Sequence, residues 1–146
     1  MREALSLWAS GVTVVTVRDE TGLHGVTLTA FTSLSVTPPL LLVCISEDAP
    51  LLSVLLSHGR FAINVLAAQQ RRVANIFADR FAVRTAELGA DSDGILQGVL
   101  VGFACTLEGE HPGGSHRIVV GRVERVVLGL EAPALLYHRR AYRTLE

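Results

Sequence analysis

The stretch Gly25–Ser46, GVTLTAFTSLSVTPPLLLVCIS, decides the fold. Val26, Leu28 and Ala30 alternate with Thr27 and Thr29, so in an extended chain the two hydroxyls share one face. Thr32, Ser33, Ser35 and Thr37 crowd into a connection that ends on Pro38 and Pro39. Leu40 to Ile45 is apolar throughout, the pattern of a buried strand, and it closes on Ser46. The stretch predicts two short strands around a hydroxyl-rich bend. Polar donors at the end of a buried strand suit a phosphate-bearing ligand.

Upstream, Arg2 to Trp8 reads as a short helix ended by Gly11. Val12 to Val17 is a strand of valines and threonines, whose β-branched side chains suit a pleated surface. Asp19–Gly22 is a turn, so this strand and the next are expected to form a hairpin. Downstream, Asp48 is placed to cap a helix with Pro50 in its first turn, and Leu51, Val54, Leu55 and His58 share one face until Gly59 stops it. Arg60 to Leu66 is a strand, and Ala68 to Ala78 a second helix with Val73, Ile76 and Phe77 as its apolar stripe. Ala86 to Gly94 is an acidic loop, Val99 to Leu107 a strand and Glu110 to Ser115 a turn. Arg117 to Leu130 is a long β run in which Gly121 marks a bulge or a close backbone approach. Leu135 to Arg143 is the last strand. About six strands with two or three short helices predict a mainly β chain, a β-barrel with helical insertions.

At 146 residues the chain is expected to be one domain, residues 1–146, with a substantial core. Its residues are 49% hydrophobic and 18% charged, which fits either a large core or apolar surface covered in an oligomer. A formal charge of −1 gives no basic excess for nucleic acid or an anionic membrane. There is no lysine, so a lysine nucleophile or Schiff base is excluded. Cys44 and Cys105 sit in apolar runs and read as structural thiols, and no metal-binding spacing appears. The N-terminus has no signal-peptide core and no apolar run reaches the ~18 residues of a spanning helix, so the cytoplasm is the expected location. Asn64, polar within an apolar strand, needs buried hydrogen-bond partners. Gln69 and Gln70 read as helix surface. His24, His58, His111 and His138 form no metal-binding pattern.

Six segments taken together resemble the flavin reductase family of the FMN-binding split barrel: Ser10–Val17, Gly25–Ser46, Gly59–Gln70, Phe77–Phe81, Gly113–Val123 and Ala134–Tyr142. The likeness runs nearly end to end, and the family's first stretch starts a little further upstream, so a shortened N-terminus is expected. The resemblance implies a Greek-key split β-barrel and a homodimer. It also implies an activity, transfer of a hydride from NADH or NADPH to FMN or FAD, with the reduced flavin passed to a separate oxygenase. NADH is preferred, because no arginine clamp for a 2′-phosphate is evident.

Residue by residue, the likeness places Val26, Thr27, Thr29 and Ala30 along the flavin, continues that wall through Cys44, Ile45 and Ser46, and sets Pro50 and Leu51 near the phosphate. A helix N-terminus is suited to that place, since its free N–H groups attract anions. His116 is implied as the nicotinamide contact. The family carries Gly-Asp-His at this turn, whereas this chain has Gly114-Ser115-His116, and the missing carboxylate is expected to leave the imidazole less firmly held. Phe81 either borders the flavin or packs in the core. No side chain is expected to act as a catalytic acid, base or nucleophile, because hydride transfer between two bound cofactors needs position and donors rather than proton chemistry. The alternatives are a split barrel that holds flavin without turnover, and a haem-handling or pyridoxamine-phosphate-oxidase-like barrel.

Overall fold

The computed structural model describes residues 1–79, 83–84 and 88–145, with 83–84 described by backbone alone. Helix α1 (Arg2–Leu5) and strand β1 (Ser10–Gly11) lead into β2 (Thr13–Asp19), β3 (Gly22–Leu28), β4 (Phe31–Ser35) and β5 (Leu40–Ser46). Then come α2 (Pro50–His58), β6 (Arg60–Val65), a 3-10 turn (Ala68–Gln70), α3 (Arg71–Ala78) and β7 (Val83–Arg84). The chain ends with β8 (Val101–Gly113), β9 (His116–Leu128), β10 (Leu135–His138) and β11 (Ala141–Thr144). Every ladder is antiparallel, and eight strands form one sheet in the order β4-β5-β9-β8-β6-β2-β3-β7, with β1-β10-β11 as a small second sheet.

The mainly β fold expected from the sequence is present, and the large sheet stays open rather than closing edge to edge. It is nevertheless bent. Strands β5 and β2 lie four places apart, ~19 Å in a flat sheet at ~4.8 Å per step. Yet Val43 and Ile45 of β5 belong to the same buried cluster as Val15 and Val17 of β2, together with Leu51, Leu52 and Leu55 of α2. Val12 and Val14, of opposite parity in the same segment, belong to a second cluster with Ala74 and Phe77 of α3 and Leu135 of β10. The valine run therefore feeds two cores, as strict alternation requires when both faces are covered.

Several boundaries differ from the sequence reading. The hydroxyl-rich bend contains a strand of its own, β4, paired with β5 in a tight hairpin, because its Thr32, Ser33 and Ser35 side chains tolerate an exposed edge. The expected turn at Glu110–Ser115 is mostly ladder: β8 runs to Gly113 and only Gly114 and Ser115 turn, with Gly114 at φ 63°. The last strand is a hairpin, β10–β11, turned by Arg139 and Arg140 at φ 52° and 60°. Asp48 does not take the N-cap place of α2, which Ala49 occupies without a side-chain cap. Gln70 is buried rather than surface: its Oε1 accepts from Ala67 N–H at 2.9 Å and its Nε2 donates to Gln97 O at 3.0 Å. Gly121 proves to be a close approach, since a Cβ there would lie 2.6 Å from the Phe61 ring.

Asn64, fully buried, is satisfied on both sides. Its Nδ2 donates to Val14 O (3.0 Å) and Thr16 Oγ1 (3.1 Å), while its Oδ1 accepts from Leu96 N–H (2.8 Å). Thr16 in turn donates to Gly94 O at 2.6 Å, so the pair fastens the loop before β8 onto the sheet. At the β2–β3 turn, Asp19 accepts from the Thr21 hydroxyl (2.7 Å) and lies 2.9 Å from His24 Nε2. The Thr21 hydrogen bond first, and the His24 contact after it, hold the Asp19 carboxyl down at about 2 against some desolvation.

Asn64→Leu is expected to cost about 2–4 kcal/mol in urea unfolding, because it strands the Leu96 N–H and removes a partner of Thr16. For Asp19→Asn the cost is expected to be small, under about 1 kcal/mol, since the site is part-exposed. That cost should be present in full above pH ~4, where the unfolded carboxylate is ionised, and should vanish as the pH falls through about 2. Unfolding midpoints of both proteins from pH ~2 to ~7 check the sign.

Candidate functional site

The bend of the sheet brings β3 to β5. Five steps separate these strands, ~24 Å if flat. In the folded chain Val26, Thr27 and Leu28 of β3 and Cys44, Ile45 and Ser46 of β5 line one cleft of about 180 Å³ with Ala49, Ala78 and His116. The two sides are linked just above it, where Cys44 N–H donates to Ala30 O at 3.0 Å. The split in the barrel is this cleft. It gathers six of the residues singled out from the sequence: Val26, Thr27, Cys44, Ile45, Ser46 and His116.

Register explains the placement of the polar groups. In the β5–β9 ladder Ser46 lies directly opposite His116, with Ile45 opposite Arg117 and Cys44 opposite Ile118. Directly opposed residues have Cβ atoms ~4.5–5.5 Å apart, so hydroxyl and imidazole are delivered together to the mouth. Glu47 N–H donates to Ser115 O at 3.0 Å, which ties the chain leaving β5 to the turn that carries the histidine. Arg117, 3.3 Å from Glu110 and 3.9 Å from Glu47, braces the same turn from outside.

Ser115 Oγ lies 3.0 Å from His116 Nδ1, so the serine hydroxyl occupies the orienting role without bringing a charge. Thr27 also differs from a simple donor. Its hydroxyl proton is committed to Ala74 O of α3 at 2.7 Å, leaving only lone pairs for a ligand. Ser46 Oγ accepts from Asp48 N–H at 3.3 Å, which leaves its own proton to offer.

Thr29 and Ala30 lie just beyond β3 and line a second groove of about 500 Å³, with Arg2, Trp8, Ser10, Tyr137 and Arg140 among its other walls. The two hollows adjoin along one continuous segment, Val26 to Ala30. Pro50 is exposed and Leu51 is buried at 2%, its side chain in the first core cluster, so neither side chain lines the cleft. Their neighbour Ala49 does. Phe81 lies outside the described residues. Leu28, Ala49 and Ala78 were not singled out from the sequence. Leu28 shares the strand of Val26, but the two alanines matter by being small at helix ends, and no periodicity marks that. Among the described residues no three His, Cys, Asp or Glu side chains gather as a metal site.

A cleft of about 180 Å³ is below the ~300–1,000 Å³ of most small-molecule sites, so it can hold part of a flavin and not all of it. Thr29 and Ala30 line a different groove, which shares no lining residue with the cleft. Apolar walls, one hydroxyl donor, one hydroxyl acceptor and an imidazole at the mouth fit a planar ring bearing an anionic tail. Of the side chains lining the cleft, Cys44 and His116 are the two of a type that ligates haem iron.

Residues 5–146 match the family model described as a flavin reductase like domain. The chain is 46% identical over 144 residues to the reductase component of 4-hydroxyphenylacetate 3-monooxygenase from Thermus thermophilus, covering 99% of this chain and 94% of that protein. It is 38% identical over 157 residues to an NADH-dependent flavin reductase of Rhodococcus, covering 100% of this chain and 85% of the relative. Among solved structures, BorF, the flavin reductase component of a bacterial two-component tryptophan halogenase, superposes with a TM-score of 0.90 at 37% identity over 99% of this chain and 95% of its own. With a match along almost its whole length, the chain belongs to the flavin reductase-like family.

Proposed function

We propose that the protein is an NADH-dependent flavin reductase that delivers reduced FMN or FAD to a separate oxygenase. The observation that carries this reading is the convergence of β3, β5 and the β8–β9 turn on one cleft, with Ser46 registered against His116. Relatives named as NADH-dependent flavin reductase and as a monooxygenase reductase component support it.

When bound, the flavin supplies the redox chemistry, accepting a hydride from the nicotinamide. The chain's own residues bind, orient and exclude water. The Ser46 hydroxyl and the Leu51 N–H in the first turn of α2 favour the phosphate, while Pro50, which has no N–H, borders it. Thr27, already donating to Ala74 O, presents a lone pair to an N–H of the ring edge. Val26 and Ile45 form dry walls, while Thr29 and Ala30 carry the site into the adjoining groove. Phe81 is kept as a border of the ring. His116, aimed by Ser115, contacts the nicotinamide nucleotide. Holding two reactants in line supplies ~7–11 kcal/mol of a barrier, which accounts for a site without an acid–base pair.

The protein is further proposed to be a homodimer in the cytoplasm. Exposed apolar side chains support the first point: Trp8, Leu34, Val36 and Leu128 all stand at least half exposed. Among the described residues no helix is long and apolar enough to cross a membrane.

NADH oxidation should rise with added FMN or FAD. Absence of a flavin-dependent rate with both NADH and NADPH would overturn the reading, and flavin binding without turnover would leave a binding barrel in its place. Ser115→Ala is expected to raise KM for NADH severalfold with little change in kcat. Size-exclusion chromatography should give about twice the chain mass at micromolar concentration; a clean monomer there contradicts the dimer.

A further inference from the structure

Helix α3 supplies part of the cleft wall through its last residue, Ala78. The helix buries Ala74 and Phe77 completely, while Arg71, Arg72 and Asn75 are exposed. Three positions apart, the buried pair shares one face of the helix. That face meets the side of β3 on which Leu23, Gly25 and Thr27 alternate.

This side of β3 carries a large apolar side chain, then none, then a hydroxyl. Phe77 occupies the gap at Gly25. A Cβ built on Gly25 would lie 2.5 Å from Phe77 Cδ1 and 2.6 Å from Cε1, well inside the 3.4–4 Å of ordinary contact. The backbone itself does not ask for glycine here. Gly25 is an ordinary ladder residue opposite Thr16, outside the left-handed region. What matters is the missing side chain, which lets an aromatic ring lie against the strand. Two residues on, Thr27 donates to Ala74 O at 2.7 Å. By the helical pattern that same carbonyl also accepts from the N–H of Ala78, four residues later. Ring and hydroxyl therefore fix α3 at two points, ~6.6 Å apart along the strand at ~3.3 Å per residue.

We infer that Gly25 is a positioning residue for the flavin: the depth at which Phe77 seats on it sets where Ala78 stands in the cleft. The inference rests on the flavin reading of that cleft. A methyl group at Gly25 would drive the ring back by about 1 Å, the difference between 2.5 and 3.4 Å, because a close-packed interior has no slack to absorb it. Ala78 follows Phe77 directly and moves with the helix end. In a cleft of about 180 Å³ such a displacement is large. A gap of ~0.5–1 Å forfeits a quarter to a half of the attraction between touching atoms.

Titration of the full-length protein with FMN and with riboflavin, followed by quenching of flavin fluorescence well below the unfolding midpoint, tests this. Gly25→Ala is expected to raise Kd about tenfold for both ligands. Riboflavin has no phosphate, so an equal loss puts the effect at the ring. Gly25→Ala/Phe77→Leu makes room for the new methyl group and should recover to within about threefold of wild type. A glycine with a structural role alone would lower the thermal midpoint on substitution and leave both Kd values unchanged. Unchanged Kd in Gly25→Ala, a loss confined to FMN, or no recovery in the double variant overturns the inference and leaves the flavin reading standing. Circular dichroism confirms that the variants fold. Should either fail to, Ala78→Val alters the wall directly, and a wild-type Kd there overturns the inference. Absence of FMN binding by the wild-type protein removes the flavin reading, and this inference with it.

Discussion

The structure depends on the bending of one antiparallel sheet. Strand β3 and strand β5 are five ladder steps apart, yet they face each other across a cleft narrower than a typical small-molecule pocket. Two features hold that bend. One is the β8–β9 ladder, where extra residues at Glu108 and Glu124 break the register twice. Bulges raise local twist, and two of them in adjoining long strands turn a flat ribbon into a trough. The other is the β4–β5 hairpin, whose register continues one step further in the hydrogen bond from Cys44 N–H to Ala30 O and so carries the segment leaving β3 onto β5. The sheet therefore curls without closing and leaves the cleft between β3 and β5.

Hydroxyl groups around the gap each carry a structural duty before any ligand arrives. Thr27 anchors α3, Ser46 steadies the entry to α2, and Ser115 holds His116. Each keeps one unused capacity, and the three differ: lone pairs at Thr27, a proton at Ser46, an imidazole at the end of Ser115. A site made this way is preorganised, because the groups meeting the ligand are already oriented by the protein.

The far end of the barrel shows what an unmet polar group looks like beside a satisfied one. Asn64 and Thr16, buried in the sheet, find partners for every strand-side demand and lock the loop that carries Gly94 and Leu96. Arg18, two residues further along the same strand as Thr16, is left with Nε unpartnered.

By itself the sequence determined the local elements and much of the site's membership. Alternation in Val26–Ala30 and the apolar run into Ser46 were legible because a strand's period is two and needs no partner to be recognised. Asn64 stood out because a polar side chain in an apolar strand must be matched. The family likeness brought in His116, which no spacing would have selected. What only the tertiary structure decided were distances across the fold: that Ser46 faces His116, that Thr27 spends its proton on Ala74 O, that Ala49 and Ala78 line the cleft by being small, and that Thr29 and Ala30 open into a separate groove. The reason is that strand order, register and bulge position are set by contacts between residues far apart in the chain, and those contacts leave no period in the sequence that joins them.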